Sequence, residues 1–353
     1  MRLLDLPNEI LGPIFQWIGQ AFFKDDFCRV LICKRWYTFA IRECLREVKI
    51  TPNKIYRLLH SRTKEQIIQL LQSHAHEIHF TTHDFYPFQA EETEDEDTTL
   101  APLKQWVRSL HNQGIRDLLP ILAGCTSLQN LSFRTWRGVY GLYAASEQDM
   151  GEKYWLTTLT EEFTISSAIV ADVLSVGYMH SLASLELDLR GCECVAASEE
   201  GKLPIHLCPS VAGLLSQKHM RRLSICVHSV CPDILQPVSI SEPEKPGIWV
   251  EEFVLNITPD IGKHSQLCYG QTGEEAVPFV FEQLARNLLS QMARPKIVRV
   301  VSHDHPTPES IDIAYYLRVY DAIVDEARLA ECVPWTGEPL SLRSFKRPLE
   351  DLF

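Results

Sequence analysis

The stretch Thr63-Lys64-Glu65-Gln66-Ile67-Ile68-Gln69-Leu70-Leu71-Gln72-Ser73-His74-Ala75-His76-Glu77-Ile78-His79-Phe80 holds two kinds of order in eighteen residues. Thr63 and Gln66 stand three apart, the capping-box spacing that satisfies unpaired N–H groups where a helix begins. Ile67, Ile68 and Leu71 then lie on one helical face, and the chain runs directly into the strand-like Glu77-Ile78-His79-Phe80. Leu118-Leu119-Pro120-Ile121-Leu122, the turn Gly124-Cys125-Thr126 and Leu128 to Phe133 repeat that grammar. Its strand end has an apolar-x-x-apolar-x-apolar spacing, which also fits Leu45/Val48/Ile50, Ala75/Ile78/Phe80, Leu128/Leu131/Phe133, Leu182/Leu185/Leu187, Met220/Leu223/Ile225 and Val250/Phe253/Leu255, with a poorer Pro295/Val298/Val300. In a chain that is 45% hydrophobic, roughly thirty such triplets arise by chance. The preceding helical stretches therefore carry the argument. They predict an α/β chain of helix-strand units, each burying its apolar face by stacking on its neighbours.

Composition narrows the function classes. The 353 residues suffice for a substantial core. Forty-six acidic against thirty-four basic residues give a formal charge of -12, which repels a phosphate backbone, so no nucleic-acid partner is expected. Eleven cysteines scattered along a chain with no signal-peptide pattern read as reduced core thiols of a cytoplasmic or nuclear protein. No run of about eighteen apolar residues occurs, so no membrane span is expected.

The first fifty residues are helical in pattern. Pro7 suits a helix start, and Glu9 falls in the first turn, facing the positive end of the dipole. Ile10, Leu11, Ile14, Phe15 and Ile18 form one apolar stripe, and Pro13 should kink or divide the helix after Leu11. Asp25 or Asp26 can cap a second helix with Phe27, Val30 and Leu31; a third carries Trp36, Tyr37, Ala40, Ile41, Cys44 and Leu45. So small a unit needs a neighbour or a partner.

These residues resemble the F-box family, whose string matches Leu6-Pro7-Asn8-Glu9-Ile10-Leu11, Ile14-Phe15, Asp26-Phe27 and Ile32-Cys33-Lys34-Arg35-Trp36. The departures are Phe27 for Leu, Ile32 for Val and the Gly12-Pro13 pair. The resemblance implies a three-helix F-box over residues 1–48 that binds the Skp-family adaptor, and through it cullin, in a ubiquitin ligase. Leu6, Pro7, Glu9, Ile10, Leu11, Ile14, Phe15 and Ile18 would make the adaptor contacts, with Val30, Ile32, Cys33 and Trp36 as core. Residues 49–334 are similar to irregular leucine-rich repeats of the filamentous-fungal F-box type, a solenoid of helix-strand units. An acidic loop near 88–100, a Pro-rich loop near 232–247, a closing helix from Thr307 to about Ala330 and a tail over 335–353 complete the expected layout.

The expected activity is that of a non-catalytic ligase subunit, a substrate receptor; a non-degradative interaction scaffold is the alternative, and an unrecognised hydrolase a third reading. No G-x-S-x-G elbow, Walker loop or dinucleotide-binding glycine triplet occurs. His74, His76, His79 and His83, the pair His303 and His305, and Cys192-Glu193-Cys194 lack zinc-site spacing, so no metal or cofactor is expected. In a repeat strand the residues between the apolar ones point outward, which nominates His79, Arg134, Glu186, Asp188, Asn256 and Arg299 for a protein substrate. Arg134 is expected to pair with Glu186 and Asp188, leaving His79 and Arg299 as the freer contacts.

Overall fold

A computed structural model of the chain describes residues 3–81, 114–135, 167–176, 180–189, 207–227, 229–236, 247–257, 266–267, 277–303 and 317–330. It is mixed α/β and divides into two compact units, Met1–Arg134 with Met179–Leu182, and Thr135–Tyr178 with Ala183–Phe353.

The first unit opens with helices: a 3-10 turn at Leu3–Asp5, α1 (Asn8–Ile18), α2 (Gln20–Asp25), a 3-10 turn at Phe27–Val30, and α3 (Lys34–Cys44). Gly19 joins α1 to α2 at φ 77, a left-handed conformation that a side chain would strain. Contrary to expectation, α1 runs unbroken through Pro13. The proline removes one N–H, that toward the carbonyl of Glu9, a residue exposed to solvent that can supply the missing donor. The expected second helix is replaced by α2 and the 3-10 turn, whose Asp26 side chain accepts from the Cys28 N–H at 2.9 Å.

Strand β1 (Glu47–Ile50), helices α4 (Pro52–Leu59) and α5 (Lys64–His74), β2 (Glu77–Thr81), α6 (Ile115–Ala123) and β3 (Asn130–Arg134) follow. The helix at Lys64 forms where the sequence placed it, but the Thr63 side chain makes no cap bond and lies instead 3.0 Å from the Ser61 hydroxyl. β1, β2 and β3 are parallel, pairing Val48 with Ile78 with Leu131 and Ile50 with Phe80 with Phe133.

In the second unit the order is α7 (Ser167–Val176), β4 (Ser184–Asp188), α8 (Cys208–Leu215), β5 (Arg222–Val227), the short β6 (Ser229–Val230), a 3-10 turn at Pro232–Leu235, β7 (Glu252–Ile257), β8 (Gln266–Leu267), α9 (Val277–Gln291), β9 (Ile297–His303), β10 (Leu317–Asp321) and β11 (Glu326–Ala330). β4, β5, β7 and β9 are parallel, and β10 and β11 close that order as antiparallel strands. Leu185, Leu223, Phe253 and Val298 stand in one row and Leu187, Ile225, Leu255 and Val300 in the next, all buried. The spacing read from the sequence thus falls in register across the strands of each unit.

A backbone pattern recurs ahead of these strands. The carbonyl of Arg46 accepts from the N–H groups of His76 and Glu77, that of His76 from Gln129 and Asn130, that of Ala183 from Arg221 and Arg222, that of Arg221 from Glu251 and Glu252, and that of Glu251 from Lys296 and Ile297. Each strand start is thereby fixed to the previous one by two donors on one acceptor.

Two expectations on the second unit fail. The span to Ala330 contains the β10–β11 hairpin, not a helix end. Its turn, Ala322 to Asp325, holds Asp325 at φ 54, with the carboxylate accepting from the Tyr320 hydroxyl at 2.7 Å and from Arg286 at 2.6 Å. Val319 and Tyr320 suit a pleated surface, and these two bonds make the left-handed turn tenable. The Pro-rich segment also starts as structure: Ile234 and Leu235 are buried in the 3-10 turn, which packs on α8 and α9. Residues 237–246, the acidic run and the 335–353 tail lie outside the described residues.

Candidate functional site

The helical segment is built around an aromatic centre. Phe15 stacks on Phe23 at 5.8 Å and meets Trp36 edge-on at 4.5 Å, and Leu11, Val30, Ala40, Ile41 and Cys44 close the core around them. Trp36 also donates its indole N–H to the Arg29 carbonyl, fixing the 3-10 turn to α3. The Cys33 sulfur accepts from the Trp36 N–H at 3.4 Å as the α3 cap. Arg35 donates to the Leu6 carbonyl at 2.7 Å and to Asn8 Oδ1 at 3.0 Å, holding the turn into α1, where the Pro7 carbonyl accepts from Ile10 and Leu11. Cys33, Arg35 and Trp36 thus join the two ends of the segment.

A filled interior leaves apolar side chains over. Trp17 is 89% exposed, Leu31 62% and Ile32 61%, and Leu3, Ile10, Phe22 and Phe27 are exposed as well. Ile10, Ile14 and Trp17 are spaced four and three apart, on one face of α1. Among the described residues, the other large exposed hydrophobics are Trp249, Val280, Ile323 and Val324, so the concentration lies in the first thirty-two positions.

Measured against this geometry, the adaptor residues read from the sequence fall into two groups. Pro7, Glu9 and Ile10 are exposed, and Leu6, Ile14 and Ile18 are half-buried. Leu11 and Phe15 are interior, because the stripe of α1 is wide enough to face both the core and the outside. Of the expected core, Val30 and Trp36 are buried, whereas Ile32 and Cys33 are exposed, since both precede α3 and lie outside its packed face. Cys28 and Cys33 are thus surface thiols, while Cys44, Cys125, Cys208, Cys226 and Cys231 are buried. Leu3, Trp17, Phe22, Phe27 and Leu31 were missed as surface; for Trp17 the signal was present, seven residues after Ile10 on the same face.

The nominated substrate face looks different. His79 is flanked by Glu77 at 2.9 Å and Glu47 at 3.8 Å, and Arg299 is bonded to Asp321 at 3.1 Å, so neither is the freer contact expected. Arg134 is exposed and Glu186 half-buried. Asp188 and Asn256 are buried, as are Ser224, Cys226, Val254 and Val301 on the same face, where Val254, Val301 and Val319 form an apolar cluster. Register puts Asp188, Cys226 and Asn256 in one row and Glu186, Ser224, Val254 and Arg299 in another. The physical reason is in the sequence: Phe253-Val254-Leu255-Asn256-Ile257 and Val298-Arg299-Val300-Val301 are near-continuous apolar runs, as in parallel strands buried on both faces.

Among the described residues no three His, Cys, Asp or Glu side chains are grouped to hold a metal ion. Burial first, then the charge of Arg42, holds His74 and His76 below the ordinary histidine value. His83, His305, Cys192 and Cys194 lie outside the described residues. No described helix is long and apolar enough to cross a membrane. Comparison with the models of known protein families and with curated proteins finds no match to this chain.

Proposed function

We propose that residues 3 to about 48 act as an F-box that docks a Skp-family adaptor, and that the helix-strand units after it hold a protein substrate for a cullin-based ubiquitin ligase. The observation that carries the reading is the exposure of Ile10, Trp17, Phe27, Leu31 and Ile32 on a small helical segment whose core is already closed by Phe15, Phe23 and Trp36. Apolar surface in such concentration has a partner. The motif string supports the choice of partner, and the in-register rows and shared carbonyls ahead of the strands support the repeat reading. The chain itself supplies proximity and orientation, and other subunits perform the transfer.

The test is a pull-down with the purified adaptor. Ile10→Asp with Ile32→Asp should abolish capture while shifting stability by no more than about 0.5 kcal/mol, because both side chains are exposed. Undiminished capture by that folded variant rejects the F-box assignment. Co-purification of cullin with the wild-type chain then separates a ligase subunit from a non-degradative scaffold.

A further inference from the structure

In the second unit, positive charge gathers at the starts of β5 and β9, on either side of β7. Arg222 opens β5 with Arg221 immediately before it, Lys296 immediately precedes β9 with Arg294 two residues before it, and Lys218 sits in the turn ahead of β5; all are exposed. Their backbone is rigid, because Arg221 and Arg222 share the Ala183 carbonyl and Lys296 and Ile297 share that of Glu251. Neighbouring strands stand about 4.8 Å apart, so these side chains form one edge.

Two carboxylates stand among the five cations. Glu251 pairs with Lys296 at 2.5 Å and Arg221 at 3.9 Å, and Glu252 pairs with Arg222 at 2.6 Å. The hydrogen bond from Lys296, with the charges of Lys296, Arg221 and Arg294 around it, holds the Glu251 carboxyl below its ordinary value. Lys218 and Arg294 make no ion pair among the described residues. Against a chain charge of -12, this edge is locally positive.

The edge also carries an apolar element. Trp249 is 39% exposed, and the Arg221 guanidinium lies 5.7 Å from its ring centroid while donating to the Trp249 and Lys218 carbonyls at 3.2 and 3.0 Å. We infer that this edge is a docking site for an acidic peptide, whose carboxylates meet Lys218, Arg294 and the arginines and whose apolar side chain covers Trp249. Charge complementarity selects that occupant, and the exposed Trp249 beside the cations favours a chain that carries an apolar side chain over a bare polyphosphate. The inference concerns the second unit alone and stands without the adaptor reading.

The experiment titrates the full-length chain into a labelled peptide of Glu residues flanking a single Leu. Lys218→Glu with Arg294→Glu leaves the arginine bonds to the backbone intact and should weaken binding about tenfold. Raising salt from about 0.05 to about 0.5 M should weaken it further, and a peptide with Gln in place of Glu should not bind. Absence of binding, equal affinity of the double variant, or equal affinity for the Gln peptide overturns the proposal. Preferential binding of a duplex oligonucleotide overturns it in favour of nucleic acid.

Discussion

The helical segment from Leu3 to Cys44 and the strands of the second unit dispose of their side chains in opposite ways. The first places a large indole, two phenylalanines, two leucines and two isoleucines in water while its arginines brace the backbone: Arg35 to Leu6, Arg29 to Phe22. The second keeps Asp188, Asn256, Ser224, Ser302 and Glu282 out of water beside an unbroken apolar interior. Burying a polar group costs stability unless it is bonded, and exposing an apolar one forgoes stability unless a partner covers it. The two departures therefore have different meanings. In the helical segment the surplus is outward and reads as recognition; in the second unit it is inward and reads as architecture.

The sharpest way to break this comparison is to attack the centre of the helical segment. Trp36→Ala removes the partner of both Phe15 and Phe23 and the hydrogen bond to Arg29. It should cost about 3 to 5 kcal/mol locally. Hydrogen exchange is the measurement, with protection expected to fall across α1, α2 and α3 and to persist in β5, β7 and β9. Full protection in α1 with loss of adaptor capture would make Trp36 a contact residue, which its burial denies.

On the other side, Glu282 in α9 is buried and accepts twice from Arg318 in β10, at 3.0 and 2.7 Å. Arg318→Ala leaves that carboxylate unanswered and should cost about 2 to 3 kcal/mol by denaturant unfolding. The double change to leucines should recover most of the loss, because it removes the stranded charge along with its partner. If the single variant loses under about 0.5 kcal/mol, α9 does not hold the hairpin by this pair.

Arg299→Ala tests the same architecture at smaller scale. Its bond to Asp321 crosses from β9 to β10, and the other Asp321 oxygen accepts from the Ile323 N–H at 3.0 Å inside the hairpin turn. Both side chains keep about a fifth of their surface in water, so solvent screening limits the loss to about 1 kcal/mol. The checking measurement is faster exchange of the Ile323 amide, a local readout that a substrate contact would not produce.

What could be read from the sequence follows from these contrasts. The rows Leu185/Leu223/Phe253/Val298 and Val48/Ile78/Leu131 were legible because the apolar-x-x-apolar-x-apolar spacing marks them, with a preceding helical stretch clearest ahead of Ile78 and Leu131. The interior of the helical segment was legible in part: Trp36 and Val30 lie where periodicity puts them, but Ile32 and Leu31 sit between elements, where periodicity says nothing. The second face of the sheet was misjudged because Asn256 and Asp188 look like surface residues one at a time, while the apolar runs around Asn256 imply burial on both sides. The β10–β11 hairpin was hidden for another reason. Its turn contains no glycine, and the left-handed residue is Asp325, stabilised by Tyr320 and by an arginine of α9 that no local pattern reveals.

The smallest effect concerns the corner between α6 and β3, where the inward disposition of polar groups already begins. Cys125 is fully buried, and its thiol donates to the Ile121 carbonyl at 3.2 Å, with the Leu71 carbonyl of α5 at 3.9 Å. Burial pushes the thiol up from 9.0 to about 11. A raised acid holds its proton more tightly in the folded state than in the unfolded one, so its contribution is whole below pH 9 and is lost as pH rises toward 11. At pH 10 the loss should reach about 1 kcal/mol, and Cys125→Ala should remove that slope while lowering stability at neutral pH by the cavity it leaves. Unfolding curves of the two chains at pH 8 and pH 10 decide the matter. An equal slope in both would mean that the corner opens to water before the thiol ionises, and that this part of the first unit is held less firmly than the strands it joins.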